Sequence, residues 1–392
     1  MLIPSDPESE LLFRLVQRAG NTDAAEERIL DIVKSDLDWD TAINLSSRHG
    51  LLPLLHELLS DLDIQPPDGI EQSLHEQYTR RALENIDRVE QLDTIVQALR
   101  DQGVRVIPYK GPMVGQVAYD ELGQRWFTDL DLLVAPEDVL DAREILKKIG
   151  YEQTNLVGVD PARLVGGSIF RWGGEFHFKK DGCIPVELRY RFVGKNTDSR
   201  RVFHDLWDNR TSRTIAGVEF PALSPEDRLV VLLAHGTKHG WNRLSWIYDL
   251  ALLSQQNVDW ETVLKRSKRY GWERAILLGL ALTGELADVE LPSSVRRAIA
   301  SDLRAQTGSS IIQKLYQDPQ KYSGVQANAS MSVLYLNNSM LNSSKELCDI
   351  VFSPWEKDYQ WASLPPRLYP LYYLVRPCRL GVSTLKRMLD WL

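Results

Sequence analysis

Apolar residues recur at three- and four-residue intervals through most of the first hundred positions. The segments ESELLFRLVQRAG (8–20), EERILDIVKSDL (26–37), DWDTAINLSSRHGLLPLLHELLSDL (38–62) and IEQSLHEQYTRRALENIDRVEQLDTIVQALRDQG (70–103) all carry that period, the mark of amphipathic helices. Gly103 ends the last of them as a C′ glycine would. From 104 the pattern changes. VRVIPY is short and β-rich, KGPMVGQVAYDEL reads as a helix, and RWFTDLDLLV (125–134) reads as a strand. PEDVLDAREILKKIG follows as a helix, with Pro136 near its start, an acidic first turn and lysines in its last turn. FHFKKDGCIPVELRYRF (176–192) predicts two strands about an Asp181-Gly182 turn. Beyond FPALSPEDRLVVLLAHGTKHGW the chain is helical again, with Ser224 as N-cap and Pro225 in the first turn.

The expected fold class is therefore α+β. A small α/β core over 101–220 is flanked by helical regions over 1–100 and 221–392. The Ser- and Asn-rich stretch near 320–345 reads as loop or weak helix. The apolar, locally basic tail (365–392) is expected to dock on the helical region, with a membrane surface or a partner as the minority reading. No internal repeat shows at the solenoid periods.

Composition narrows the function. With 392 residues, 43% hydrophobic and 26% charged, the chain is an ordinary globular sequence. Its formal net charge of −8 disfavours long nucleic acid as a partner. Cys183, Cys348 and Cys378 are widely spaced and odd in number, which fits a reducing compartment better than a disulfide framework or a zinc site. The opening MLIPSDPESELL lacks a secretory n-region, and no apolar run reaches the roughly 18–20 residues of a spanning helix. A cytoplasmic protein without a membrane span is expected. The 11 tryptophans are read as packing residues rather than base-stacking platforms, given the absence of a basic groove.

Within RWFTDLDLLV, Asp129 and Asp131 lie two apart and so share a strand face. Two such carboxylates repel unless a cation sits between them, which makes the pair a candidate hard-cation site for Mg²⁺. The plain alternative is two acids on an edge strand facing water. Upstream, VIPYKGPMVGQVAY runs from a strand through Lys110 and Gly111 into a helix, a combination suited to binding an anion. Downstream, Glu187 in IPVELRYRF offers a third carboxylate, as a ligand of a second ion or as a base. EFHF sets Glu175 and His177 on one strand face; His177 is read either as a contact to base, ribose or acceptor, or as a cross-strand partner. HGTKHGW sets His235 and His239 four apart, with Lys238 between them; Gly236 stands where a zincin needs glutamate. Capping or interdomain hydrogen bonding, contact to nucleotide or acceptor, and metal binding are the three readings there. Asp249 orients a histidine or forms a buried salt bridge.

The order of strand, glycine at a helix start, helix, D-x-D strand and later acidic strand resembles the nucleotidyltransferase superfamily that includes DNA polymerase β. KGPMVGQVAY, RWFTDLDLLVAPED, VELRYRF and PEDRLVVLLAHGTKHGWNRLSWIYDLALL resemble its uncharacterised bacterial nucleotidyltransferase-like family over roughly 85–255. That resemblance implies a polymerase β-like core, with Asp129, Asp131 and Glu187 as the catalytic, metal-binding acids for two Mg²⁺ ions. It implies that Lys110 and Gly111 lie under the phosphates of an NTP and that Arg125 reaches a phosphate or neutralises the acidic strand; His177, Lys238 and His239 stand beside these as candidate contacts to nucleotide or acceptor. The acceptor would carry a hydroxyl, on a small molecule, peptide or protein. Two positions depart from the family pattern: Pro112 follows Gly111 where a serine or glycine is usual, and Arg189 replaces a common histidine. Arg189 shares the strand face of Glu187, so their pairing would leave a nucleotide- or protein-binding module without catalysis, accessory to a biosynthetic pathway.

Overall fold

In a computed structural model of the chain, residues 4, 6–157, 174–192, 197–316, 351, 352, 354, 356–362 and 364–390 are described. Five helices come first: α1 (Pro7–Gln17), α2 (Thr22–Val33), α3 (Trp39–His49), α4 (Leu52–Asp61) and α5 (Ile70–Asp101). Aspartates cap several of them; Asp6 accepts from Ser9 N–H at 3.0 Å and Asp38 from Thr41 N–H at 3.2 Å. The stretch 38–62 is one apolar-periodic run in sequence but two helices in space. Gly50 breaks it, with φ +72° in the left-handed region, and a Cβ there would lie 2.8 Å from Ser245 Oγ.

The main sheet has five strands, β1 (Val106–Pro108), β2 (Leu130–Val134), β3 (Glu152–Gln153), β4 (Glu175–Lys179) and β5 (Val186–Arg189), in the order β1-β2-β5-β4-β3. It is mixed: β2 and β5 run parallel, and the other neighbours antiparallel. Helix α6 (Pro112–Ala118) links β1 to β2, and α7 (Val139–Lys148) follows β2. The α-helical turns of α7 begin only after Pro136, with Asp138 at the N-cap. Helix α8 (Ser199–Asp208) then leads to a separate hairpin of β6 (Thr211–Ile215) and β7 (Val218–Ala222), turned at Ala216-Gly217 with positive φ at both. The sequence pattern alone does not mark this hairpin.

The remaining helices are α9 (Pro225–Lys238), α10 (Leu244–Ser254), α11 (Trp260–Tyr270), α12 (Glu273–Leu286), α13 (Ser293–Ser301), α14 (Leu303–Tyr316), α15 (Glu356–Trp361) and α16 (Tyr372–Asp390). The cap expected at Ser224 is present, accepting from Asp227 N–H at 3.2 Å. The stretch 320–345 lies outside the described residues. Among the described residues no helix is long and apolar enough to cross a membrane.

All five residues of β2 are buried, because each face of the sheet meets its own core. Leu130, Leu132 and Val134 pack with α5, α7, β4 and β5. Ile107, Tyr109 and Leu133, on the opposite face, join a core shared by α1–α4 and α9–α14. The tail corrects an expectation. Tyr369 and Tyr372 enter the α5–sheet core instead of the helical one, and Arg376 and Arg379 pair with Asp358 at 3.3 and 2.5 Å.

Candidate active site

Strand alternation puts Asp131 on the face opposite Leu130 and Leu132, toward the helical core. The parallel register sets Asp131 beside Glu187, and the antiparallel one sets Glu187 beside His177 and Arg189 beside Glu175. The polar groups converge at a cleft of about 250 Å³ whose walls come from the sheet, from α9 and α10, and from Gly50 between α3 and α4. Asp129 lies in this cleft just ahead of β2.

Asp131 is 4% exposed. Its Oδ1 accepts from Lys110 Nζ at 2.7 Å and from the Tyr109 hydroxyl at 3.2 Å. Tyr109 in turn accepts from Arg189 Nε at 3.0 Å. The Arg189 guanidinium grips Glu175, while Glu187 Oε2 stands 3.9 Å away. Lys238 Nζ reaches Glu175 Oε2 at 3.4 Å. A continuous polar chain thus runs from Lys110 through Asp131, Tyr109, Arg189 and Glu175 to Lys238. The expected partner of Arg189 was Glu187; its main partner is Glu175, the residue directly across the β4–β5 ladder.

The electrostatics follow from burial. Glu187 is pushed up to about 7 by burial and then by Asp131 and Glu175. Burial and Asp131 raise Asp129. Burial alone would raise Glu175 too, but Arg189 and Lys238 hold it well below the usual carboxylate range. Lys238 is pushed down to about 8 by burial and by Arg189. His177 Nε2 sits 3.6 Å from Glu175 Oε1 and 3.8 Å from Glu187 Oε1, and these three side chains lie close enough together to offer ligand atoms to one cation.

Other expected site residues serve the frame. Arg125 donates through Nε and Nη2 to Asp249 at 2.8–3.1 Å and through Nη1 to Gly111 O at 3.2 Å. Its fork is therefore committed to holding the Gly111 turn. Tyr119 completes this by donating to Asp249 Oδ1 at 2.7 Å, so Asp249 is a salt-bridge residue and not a histidine orienter. Gly111 has φ +56° and ψ −123°, which L side chains avoid, and a Cβ would meet the Phe127 ring at 3.3 Å. Helix α6 has only 7 residues, so the positive charge at this turn comes chiefly from Lys110. The His235 and His239 rings meet at 4.4 Å, tilted by 44° to each other, beside Trp246. Burial, then Lys238, pushes His239 down to about 2; burial, then Lys110, keeps His235 well below its usual value.

The sequence reading missed Tyr109 as a bridge between Asp131 and Arg189. The only signal was its place directly before Lys110. Glu175 stands two residues before His177 in the sequence, but its grip on Arg189 and Lys238 has no local trace.

An oxygen-rich set facing like-charge repulsion fits a hard divalent cation. The fold and this centre together define an α+β enzyme built around an acidic, cation-ready cleft. Comparison with known proteins makes the class definite. A family model described as an uncharacterised nucleotidyltransferase matches residues 35–288, and the chain belongs to that family. It is a transferase of nucleotidyl groups. A solved structure of the antibiotic-resistance factor ANT(2″)-Ia is similar at 12% identity, over 59% of this chain and 98% of that one, with a TM-score of 0.29. No curated protein matches the chain.

Proposed function

We propose that the chain moves a nucleoside monophosphate from an NTP to a hydroxyl of a small-molecule, peptide or protein acceptor, with Mg²⁺ as cofactor, inside the cell. The observation that carries this reading is the β2–β5 register, which sets Glu187 beside Asp131 two residues after Asp129. In it, a polymerase β-like unit over 101–220 carries the chemistry, and helical regions over 1–100 and 221–392 supply the walls.

Asp129 and Asp131 would hold the two expected ions, with Glu187 completing the second site or acting as base. The ions would neutralise charge on the phosphates. Lys110 stands beside the Gly111 turn, where the triphosphate lies, and Arg125 keeps that turn in shape. The acceptor oxygen attacks the α-phosphorus, the bond to the β-phosphate oxygen breaks and pyrophosphate leaves. His177, Lys238 and His239 border the space for nucleotide and acceptor. Positioning and charge neutralisation carry the rate, as in phosphoryl transfer generally.

The rival reading, a nucleotide- or protein-binding module without catalysis, needs Arg189 to neutralise Glu187; Arg189 grips Glu175 and also stands 3.9 Å from Glu187 Oε2. The test is calorimetry with Mg²⁺ and each of the four NTPs, on the parent and on Asp129→Asn. Binding of one NTP that needs Mg²⁺ and is lost in the variant is expected. Binding indifferent to both would end the reading.

A further inference from the structure

The cations around the cleft differ in what already holds them. Lys110 Nζ sits 2.7 Å from Asp131 Oδ1, with side chains 12% and 2% exposed. Arg125 commits its fork to Asp249 and Gly111 O. Arg189 and Lys238 share Glu175. Arg243 lines the cleft as well, and it is exposed. Among the described residues its guanidinium makes no hydrogen bond and no ion pair.

Position 243 also breaks a local rule. Arg243 is the N-cap residue of α10, and no side chain caps that helix. Helix starts favour Ser, Thr, Asn or Asp, and a cation there meets the positive end of the dipole. No bond within the described residues offsets this cost. The turn that carries Arg243 is nevertheless firmly built. Trp241 N–H donates to Gly236 O at 2.9 Å, and Trp241 O accepts from the Tyr316 hydroxyl. Its φ of +56° is uncommon for a side chain of this size. Backbone held in such a state by its surroundings clusters at functional sites.

The charge faces the acids. Burial and Asp131 raise the Asp129 carboxyl, and Lys110, then Arg243, oppose that rise. Arg243 and Asp129 border the same cleft without pairing. An anion entering between them would find the uncommitted fork.

We propose that Arg243 holds the β- and γ-phosphates of the NTP, the part of the nucleotide that leaves as pyrophosphate. The α-phosphate belongs at the ions of Asp129 and Asp131, so a cation on the helical wall is left for the phosphates beyond it. A planar guanidinium fork matches phosphate oxygens two at a time. The contact that the sequence pattern suggested for Arg125 thus passes to Arg243. This assignment rests on the nucleotidyl-transfer reading above and adds the residue that favours a triphosphate over a monophosphate.

The experiment is titration calorimetry with Mg²⁺ on the full chain, for the parent, Arg243→Gln and Arg243→Lys. The ligands are the four NTPs, the matching nucleoside monophosphates, and pyrophosphate alone. The NTP that the parent binds is expected to bind Arg243→Gln about 10- to 100-fold more weakly, the scale of a charge-assisted hydrogen bond. Pyrophosphate weakens by a similar factor, the monophosphate binds parent and variant alike, and Arg243→Lys recovers part of the loss. Thermal melts followed by circular dichroism establish that both variants are folded. NTP or pyrophosphate affinity that is unchanged in Arg243→Gln, or equal losses of NTP and monophosphate, overturn the assignment and leave nucleotidyl transfer standing. A parent that binds none of the four NTPs overturns both.

Discussion

At the residue scale the cleft depends on pairs that are distant in sequence and dry in space. Arg125 and Asp249 meet across 124 positions, with side chains 9% and 5% exposed. Removing one partner of a buried pair leaves an uncompensated charge, which costs about 3–5 kcal/mol. Asp249→Asn is therefore expected to lose stability on that scale in urea unfolding, and to weaken NTP binding because Arg125 also braces Gly111 O. A loss below about 1 kcal/mol would show that the pair is not the brace described. Tyr109 shows the same economy, with one hydroxyl serving Asp131 and Arg189 at once.

At the element scale, α9 meets α10 through a turn shaped by a single ring. Trp241 is fully buried, with φ +56°, and its indole donates to Thr237 Oγ1 at 3.2 Å. Gly236 and Gly279 make room for it; a Cβ on them would fall 2.6 and 2.5 Å from ring atoms. The glycine that excludes a zincin motif is thus explained by packing. Gly236→Ala is expected to cost about 1–3 kcal/mol, the range for overpacked cores, read as a lower thermal midpoint. Because the same turn carries His239 to the cleft, NTP affinity is expected to fall with it. An unchanged midpoint would mean that the ring moves aside freely.

At the scale of the whole molecule, stability responds to acid through groups with opposed signs. His235 and His239 are held neutral in the fold, with His239 down to about 2. Their folded values are depressed, so their contribution is complete above about 6.5 and is lost as the pH falls below it, where the unfolded chain binds protons the fold refuses. Glu187 at about 7 and Asp227 at about 6 act the other way. Their folded values are raised, so their contribution is complete below the unfolded carboxylate values and is lost as the pH climbs through 6–7. The histidine part is isolated by comparing the parent with His239→Gln. Between pH 6.5 and 5 the parent is expected to lose up to about 2 kcal/mol relative to the variant. Parallel curves in chemical unfolding would show that His239 protonates in the folded chain.

Local periodicity made much of this legible. The period of 3.6 marks the helices of 7–101, the period of 2 marks β2 and β5, and together these place Asp129, Asp131 and Glu187 on or beside strands, because side-chain direction along an element depends only on spacing. Local chemistry likewise marks Ser224 as a cap and Gly111 as a turn. What periodicity cannot encode is which faces meet. That Arg189 grips Glu175 more closely than Glu187, that Arg125 serves Asp249, that α1–α4 share a core with α9–α14, and that Tyr372 lies on the other side of the sheet are all long-range outcomes. Burial and strand register decided them together, since a charge taken out of water must find whichever partner the packing places within reach.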